Sequence, residues 1–329
     1  MVNWNGLRFI EACLAALQAQ DYRPIETIVV DNGSTDGSLE LLERRRDIRL
    51  IRNGRNLGFA AANNAALEQA TGEFVLLLNA DATLEPGYVS TLTAALRRDP
   101  RLGSATGKLL RPAAPGAARL IDSTGHVMFR NDWAADRGQD QPDGPGYEKG
   151  GEVFGVCAAA GLYRRAMLDD VMVDGQILDA SFFAYLEDVD LGWRAQLRGW
   201  RSVYEPSALA THYRSGTGGR FSVEIQRHIF KNRLLMIVKN DGGPGLVWRY
   251  PGIVAFTAAK LLLGTLRSPA FAGTVWQTVR ALPQARRQRR QIQARRTVSP
   301  AAVERWFEPY PYLSKLRGGE TGRRWISQS

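Results

Sequence analysis

Cysteine is almost missing from this sequence: Cys13 and Cys157 are the only two in 329 residues, too few for a disulfide framework or a thiolate metal site. Both sit among small and apolar neighbours, which fits a reducing compartment. A secretory leader is also lacking, because Met1-Val2-Asn3-Trp4-Asn5-Gly6 turns polar at once, and secretion is therefore not expected. No internal repeat is visible. The longest apolar stretch, residues 245–266, is interrupted by Arg249, Pro251 and Lys260, which makes it a poor membrane span and a fair interfacial segment.

What is present is a globular composition, 44% apolar, enough for one large α/β core or two smaller ones. The net charge of +10 is distributed unevenly. Residues 1–213 hold 22 Lys/Arg against 28 Asp/Glu, and residues 214–329 hold 21 against 5. An acidic body that binds a diphosphate needs cations to bridge the like charges, while a basic rear suits anionic lipid or nucleic acid. The basic part lacks the interleaved aromatics of a nucleic-acid surface, so nucleic acid is not an expected partner.

The front half alternates helix and strand signals. Phe9, Cys13, Leu14 and Leu17 have helical spacing, and residues 25–30 form a β-branched run that ends in Asp31-Asn32-Gly33-Ser34-Thr35-Asp36-Gly37. A helix through Leu39, Leu41 and Leu42 follows, then a strand over 48–51, the loop 53–58, an alanine-rich helix over 60–70 and a buried strand over 74–78. This order implies a mostly parallel sheet with ligands at the carboxyl ends of its strands. Residues 112–151, rich in Pro, Gly, Asp and Gln, read as a long loop or hairpin insertion. A helix is expected from Glu187 to Gly199 and another over 221–238.

Three polar clusters fall where such a sheet would bind a ligand. Asp31 ends a strand and can accept a hydrogen bond from a base or ribose, although the same turn is an ordinary helix-capping sequence. Asn79 and Asp81 follow a buried strand one residue apart and share a face. Asp81 can ligate Mg²⁺ or Mn²⁺ through oxygen, and neutral Asn79 suits hydrogen bonding. Glu187, Asp188 and Asp190 open a helix; Asp190 and Arg194 form an i,i+4 pair with a structural role, which leaves Glu187 and Asp188 for proton chemistry. His212 becomes a metal ligand if its strand returns beside Asp81, and imidazole favours Mn²⁺ over Mg²⁺.

In order and spacing these motifs resemble family 2 glycosyltransferases of the GT-A fold, in the bacterial rhamnosyltransferase-like branch. The matching stretches are residues 2–6, Val30-Asp31-Asn32-Gly33-Ser34-Thr35-Asp36, Asn56-Leu57-Gly58-Phe59-Ala60 with Asn63, Leu77-Leu78-Asn79-Ala80-Asp81, and residues 183–191 followed by His212. The resemblance implies an α/β fold of that type, a mixed, mostly parallel sheet flanked by helices. It places a catalytic domain in residues 1–215 and a helical basic extension, membrane-associating or merely solvated, in 216–329. It implies Asp31 at the donor's base, Asn79 at its ribose or phosphates, and Asn3, Asn32, Ser34, Asn56, Gly58 and Asn63 in the donor-binding set. Asp81 and His212 would hold a divalent cation, Asp188 would be the base of an inverting transfer, and Glu187 would bind the acceptor.

The implied partners are a nucleoside-diphosphate sugar (dTDP or UDP), a glycan or polyprenyl-linked acceptor, and peripherally an anionic membrane. The expected location is the cytoplasm or the cytoplasmic face of the inner membrane. Two departures stand out: Asn79 replaces the first carboxylate of the family's Asp-x-Asp pattern, and only Met1 and Val2 stand for the first strand. The latter leads to the expectation of a start further upstream or of a weaker sheet edge. A non-catalytic nucleotide-binding scaffold of the same fold is the competing reading.

Overall fold

Apolar strands that end in a polar residue, each followed by an amphipathic helix, build the front of the protein. The structure is a computed structural model, and it describes residues 1–114, 116–214 and 222–310. The first elements are β1 (Val2–Asn3), α1 (Leu7–Gln18), β2 (Ile28–Asp31), α2 (Ser38–Glu43), β3 (Arg49–Arg52), α3 (Phe59–Gln69) and β4 (Phe74–Leu78). Strands β1, β2 and β3 are parallel, with Val2 opposite Val30 and Asn3 opposite Asp31. The expected near-absence of a first strand is corrected in one respect. Its two residues lie between β2 and β4, and a parallel bridge from Val2 to Asn79 joins the two halves of the sheet.

Next come β5 (Ala82–Leu84), α4 (Tyr88–Arg97) and β6 (Leu102–Leu110). The stretch expected as a long loop or hairpin insertion holds a hairpin: it contains β7 (Ile121–Ser123), β8 (His126–Phe129) and β9 (Ala134–Asp136), with β8 and β9 antiparallel, and β10 (Gly151–Val153) closes it. Strand β11 (Ala160–Arg164), helices α5 (Arg165–Asp170) and α6 (Glu187–Leu197), and the long strand β12 (Arg201–His212) complete the sheet. The order in the larger sheet is β10-β12-β6-β11-β4. The sheet is parallel from β3 to β4 and mixed beyond, because β11 runs antiparallel to both β4 and β6. The polar motifs therefore collect at one end, and β12 delivers His212 opposite Ala82.

The anticipated boundary at 215/216 lies outside the described residues. Beyond it stand α7 (Val223–Asn240), α8 (Leu246–Arg267), α9 (Gly273–Arg295), α10 (Pro300–Val303) and β13 (Phe307–Glu308). These elements share a core with the front. Val189, Trp193 and Leu197 of α6 pack with Leu235 and Met236 of α7, Ala285 and Ile292 of α9, and Phe307. Strand β13 adds to β8. Beneath this layer, Asp190 receives hydrogen bonds from Arg194 Nε (3.0 Å), Lys239 Nζ (2.9 Å) and Asn240 Nδ2 (2.8 Å), while Lys239 also binds Asp179 (2.7 Å). Burial pushes the Asp179 carboxyl up, but Lys239 outweighs it and holds the pKa down at about 2.

Replacing Lys239 by Met would leave Asp179 and Asp190 buried without their shared cation, an expected loss of about 3–5 kcal/mol. Urea denaturation checks this against Arg45→Met, which removes a partly exposed pair with Asp47 and is expected to cost about 0–1 kcal/mol.

Candidate active site

At the carboxyl ends of β1 and β2, Asn3 is the hub. Its buried Nδ2 lies within 3.0 Å of Asp31 Oδ1, Ser34 Oγ and Ser38 Oγ. The other carboxylate oxygen of Asp31 accepts from the backbone N–H groups of Gly33 (3.1 Å) and Ser34 (3.0 Å). Gly33 has φ of 80°, and a Cβ there would fall 2.6 Å from the Arg55 backbone, so only glycine fits this turn. Asn32 clamps the neighbouring loop: it accepts from Asn53 (3.0 Å) and from the Leu57 N–H (3.1 Å), and it donates to Asn56 Oδ1 (2.9 Å). Asn56 in turn accepts from the Gly58 N–H (2.9 Å).

Asn3, Asp31, Asn32, Ser34, Asn56 and Gly58 are thus gathered at one edge, with Asn3 and Asn32 acting as braces. Asn63 is not among them. It donates to Phe59 O within α3 and lines a separate cavity of about 160 Å³ with Met1 and Ile28, at the amino ends of the strands. A cleft of about 310 Å³ is also off the site. It runs along Leu209, Thr211 and Tyr213, and Thr211 and Tyr213 alternate with His212 and point to the opposite face.

The cation-competent centre forms where β4 and β12 end. His212 Nε2 lies 3.3 Å from Asp81 Oδ1 and 3.3 Å from Asn79 Nδ2, and its Nδ1 donates to Asp122 Oδ2 (2.8 Å). Asp122 is fully buried, and it and Asp136 both pair with Arg214. A carboxylate that fixes one imidazole nitrogen leaves the other directed outward as a ligand. With the Asp81 oxygen beside it, this donor set suits a borderline divalent ion. Burial pulls the His212 imidazolium down, but Asp122 and Asp81 prevail and raise its pKa to about 9.

The acid pair stands at the start of α6, after a strained approach. Phe183, Tyr185 and Leu186 all have positive φ, between 67° and 73°, and strain of this kind collects at functional sites. Three constraints hold it. The Ala60 N–H donates to Phe183 O. A Cβ on Gly58 would fall 2.5 Å from that same oxygen. From α7, Asn232 Nδ2 lies within 2.9 Å of the carbonyls of Phe182, Ala184 and Tyr185.

The two carboxyls then differ. Glu187 is buried with Oε2 unpartnered, and burial, joined by the Asp188 and Asp190 charges, pushes its pKa well up. Burial acts the same way on Asp188, but His126 and the N–H groups of Ala158 (3.0 Å) and Val189 (2.8 Å) overcome it and hold Asp188 low. The surroundings thereby drive the two carboxyls in opposite directions, one toward its neutral form and its neighbour toward its ionised form. The Asp188 bond to Ala158, whose neighbour Ala159 accepts the Asn79 N–H (2.9 Å), links the acid pair to the Asp81–His212 cluster.

His126, whose Nε2 is 3.4 Å from Asp188 Oδ2, is absent from the residues singled out in the sequence. So are Asp122 and Arg214. His126, Cys157 and Asp188 place ligand-type atoms within 4.8 Å of one another. The pairing of His126 with Asp188 accounts for this cluster without an ion, since burial raises the Cys157 thiol well above its ordinary range and keeps it from acting as a thiolate.

This arrangement on this sheet is that of a GT-A glycosyltransferase. The fold matches that of TarS 1–349 from S. aureus in complex with UDP, with a TM-score of 0.53 at 17% identity over 92% of this chain and 88% of that one. It also matches GalNAc-T7 with UDP, GalNAc and Mn²⁺, with a TM-score of 0.55 at 13% identity over 72% of this chain and 46% of that one. More particularly, the family model described as glycosyl transferase family 2 matches residues 1–171, and the chain belongs to that family. It is 30% identical, over 78% of its own length and 90% of the relative's, to an N-acetylglucosaminyl-diphospho-decaprenol L-rhamnosyltransferase of Mycobacterium tuberculosis.

The raised His212 pKa has a consequence for stability. The imidazolium stabilises the folded state fully below its ordinary value of 6.5, and that contribution is lost as pH rises through about 9, an effect on the order of 3 kcal/mol. Metal-free protein should therefore lose stability between pH 6.5 and 9, and His212→Gln should flatten that slope in denaturation curves recorded across the window.

Proposed function

We propose that this glycosyltransferase is an inverting, metal-dependent enzyme that moves a sugar from a dTDP- or UDP-sugar to a hydroxyl of a polyprenyl-linked glycan. L-rhamnose is the leading candidate for the sugar. The observation that carries the reading is the convergence of Asp81 and His212 beside Asn79, one bonded segment away from the ionised Asp188. The relative's name supports both the sugar and a diphospho-polyprenol acceptor. The same acceptor favours the cytoplasmic face of a membrane as the place of action.

In this reading Asp31 receives the base, braced by Asn3, and Ser34, Asn56 and Gly58 shape the wall beside it. Asn79 hydrogen-bonds the ribose or a phosphate. Asp81 and His212 would hold a Mn²⁺ or Mg²⁺ ion, which when bound would supply charge stabilisation to the departing diphosphate. Asp188 accepts the proton of the acceptor hydroxyl as that oxygen bonds to the anomeric carbon, and the bond to the diphosphate breaks on the opposite face. The neutral Glu187 carboxyl donates a hydrogen bond to the acceptor. His126 keeps Asp188 ionised and oriented, as a positioning residue.

A thermal-shift panel of dTDP, UDP, GDP and ADP with and without Mn²⁺ tests the donor side. A bound nucleotide raises the melting temperature by mass action, so a rise confined to one nucleotide with metal and lost in Asp81→Asn is expected; no rise with any nucleotide would overturn the reading. On the chemical step, Asp188→Asn should lower kcat about a thousandfold and leave the nucleotide response unchanged. With His126→Gln the acid limb of the pH–rate profile should move up by about 1–2 units, because Asp188 loses the cation that favours its ionised form.

A further inference from the structure

Helix α8 is turned inside out. In a helix lying on a protein surface, the apolar side faces the core and the charges face water. Here Arg249 points into the body, where it pairs with Asp132, Asp241 and Glu304, and the Lys260 ammonium lies 5.0 Å above the Trp133 ring. Toward solvent the helix presents Trp248 (87% exposed), Leu266 (74%), Val247 (71%), Tyr250 and Leu262 (both 61%), with Leu263 and Val254 beside them. After the short turn Pro269–Ala272, α9 continues this character with exposed Val275, Trp276 and Val279. An apolar face of this extent on a monomer marks an interaction surface.

We propose that the outward face of α8, together with the first turns of α9, is a docking surface for an anionic lipid bilayer, on which the helix lies in the plane of the interface. Charge chooses the occupant. Arg267 closes α8, the Arg280 guanidinium sits 4.8 Å above the exposed Trp276 ring, and Arg286 and Arg290 are exposed further along α9. Tryptophan, tyrosine and arginine around an aliphatic strip is the composition of an interfacial helix, and apolar area and basic charge together give the two contributions that stable attachment requires. A second copy of this chain would bring the same basic rim against itself.

The helix is long and apolar enough to cross a membrane by composition, but crossing would pull Arg249 away from three carboxylates. Its inner face packs through Ile253, and Gly264 lies under the Phe271 ring. Part of the basic charge of α9 is already engaged within the protein. Arg287 binds Asp174, Arg295 binds Asp170, and Arg289 binds the carbonyls of Val238 and Asp241. Those three anchor α9, and the lipid-facing charge on that helix falls to Arg280, Arg286 and Arg290.

The test uses the full chain with sedimented vesicles, either pure phosphatidylcholine or phosphatidylcholine containing phosphatidylglycerol. The wild type should sediment with the anionic vesicles, less with the neutral ones, and less at high salt. The triple variant Trp248→Ser, Leu262→Ser and Leu266→Ser should bind at least tenfold more weakly, with an unchanged melting curve because all three positions are exposed. Arg280→Glu with Arg286→Glu should weaken anionic binding selectively.

A wild type that stays in the supernatant, or a triple variant that binds equally well, overturns the proposal. So does concentration-dependent self-association that the triple variant abolishes without any vesicle binding, which would assign the face to a second copy. The docking surface stands apart from the donor chemistry. The triple variant should keep its nucleotide thermal shift, so loss of vesicle binding and loss of nucleotide response separate the two readings.

Discussion

A carboxylate with no access to water must have its charge and lone pairs met by the protein, and Asp190 is fully buried. Its partners come from two helices: Arg194 from α6 itself, and Lys239 and Asn240 from α7. Separating those helices would expose the charges to a medium that cannot solvate them, so the relation of α6 to α7 is fixed within hydrogen-bond tolerance. The start of α6 is where Glu187 and Asp188 stand, and α7 also carries Asn232, which binds the carbonyls of Phe182, Ala184 and Tyr185 within the strained approach before them. The acid pair is thus aimed by residues of the C-terminal helices, which share one core with the sheet.

Much of the site was legible because an apolar run ending in a polar residue is a local pattern. Asp31, Asn79 and Asp81 each follow a buried strand, and their placement at one sheet end follows from strand–helix alternation alone. The return of His212 to Asp81 depends on β12, whose pairing with β5 has no local signature. The missed residues share that difficulty. His126, Asp122 and Asp136 lie in a Gly- and Pro-rich stretch that reads as loop or hairpin without fixing which residues pair, and their short strands gain stability only by pairing with β6, β13 and one another. Strand β6 itself, Leu-Gly-Ser-Ala-Thr-Gly-Lys-Leu-Leu, is buried along its whole length, yet its small and polar residues carry no alternation. Asn63 stands apart from the other residues of its motif because a motif gives proximity in sequence, while its position one turn down α3 turns its amide toward its own helix.

The adjacent carboxyls Glu187 and Asp188 show what local sequence does not encode. Both sit in the same helix turn with the same dipole, and their chemical difference comes from elsewhere: His126 from β8 and the Ala158 N–H from the segment before β11 reach only one of them. Asp190 was read as half of an i,i+4 pair with a structural role, and the pair exists, but its full set of partners includes a lysine 49 positions away. Tertiary contacts decide which acidic residue is pushed toward its neutral form, which is held toward its ionised form and which is locked into the core.

The orientation of α8 bears on the entropy of any association it makes. A segment that is a random coil in water and becomes helical on contact loses backbone freedom at that moment, which subtracts from its affinity. In α8 that freedom is already gone in the free protein, because Arg249 and its three carboxylates hold the helix at one rotation about its axis and keep its apolar side outward. Contact then requires little reorganisation, and the helix meets its partner as a rigid, preoriented plane rather than as a folding event.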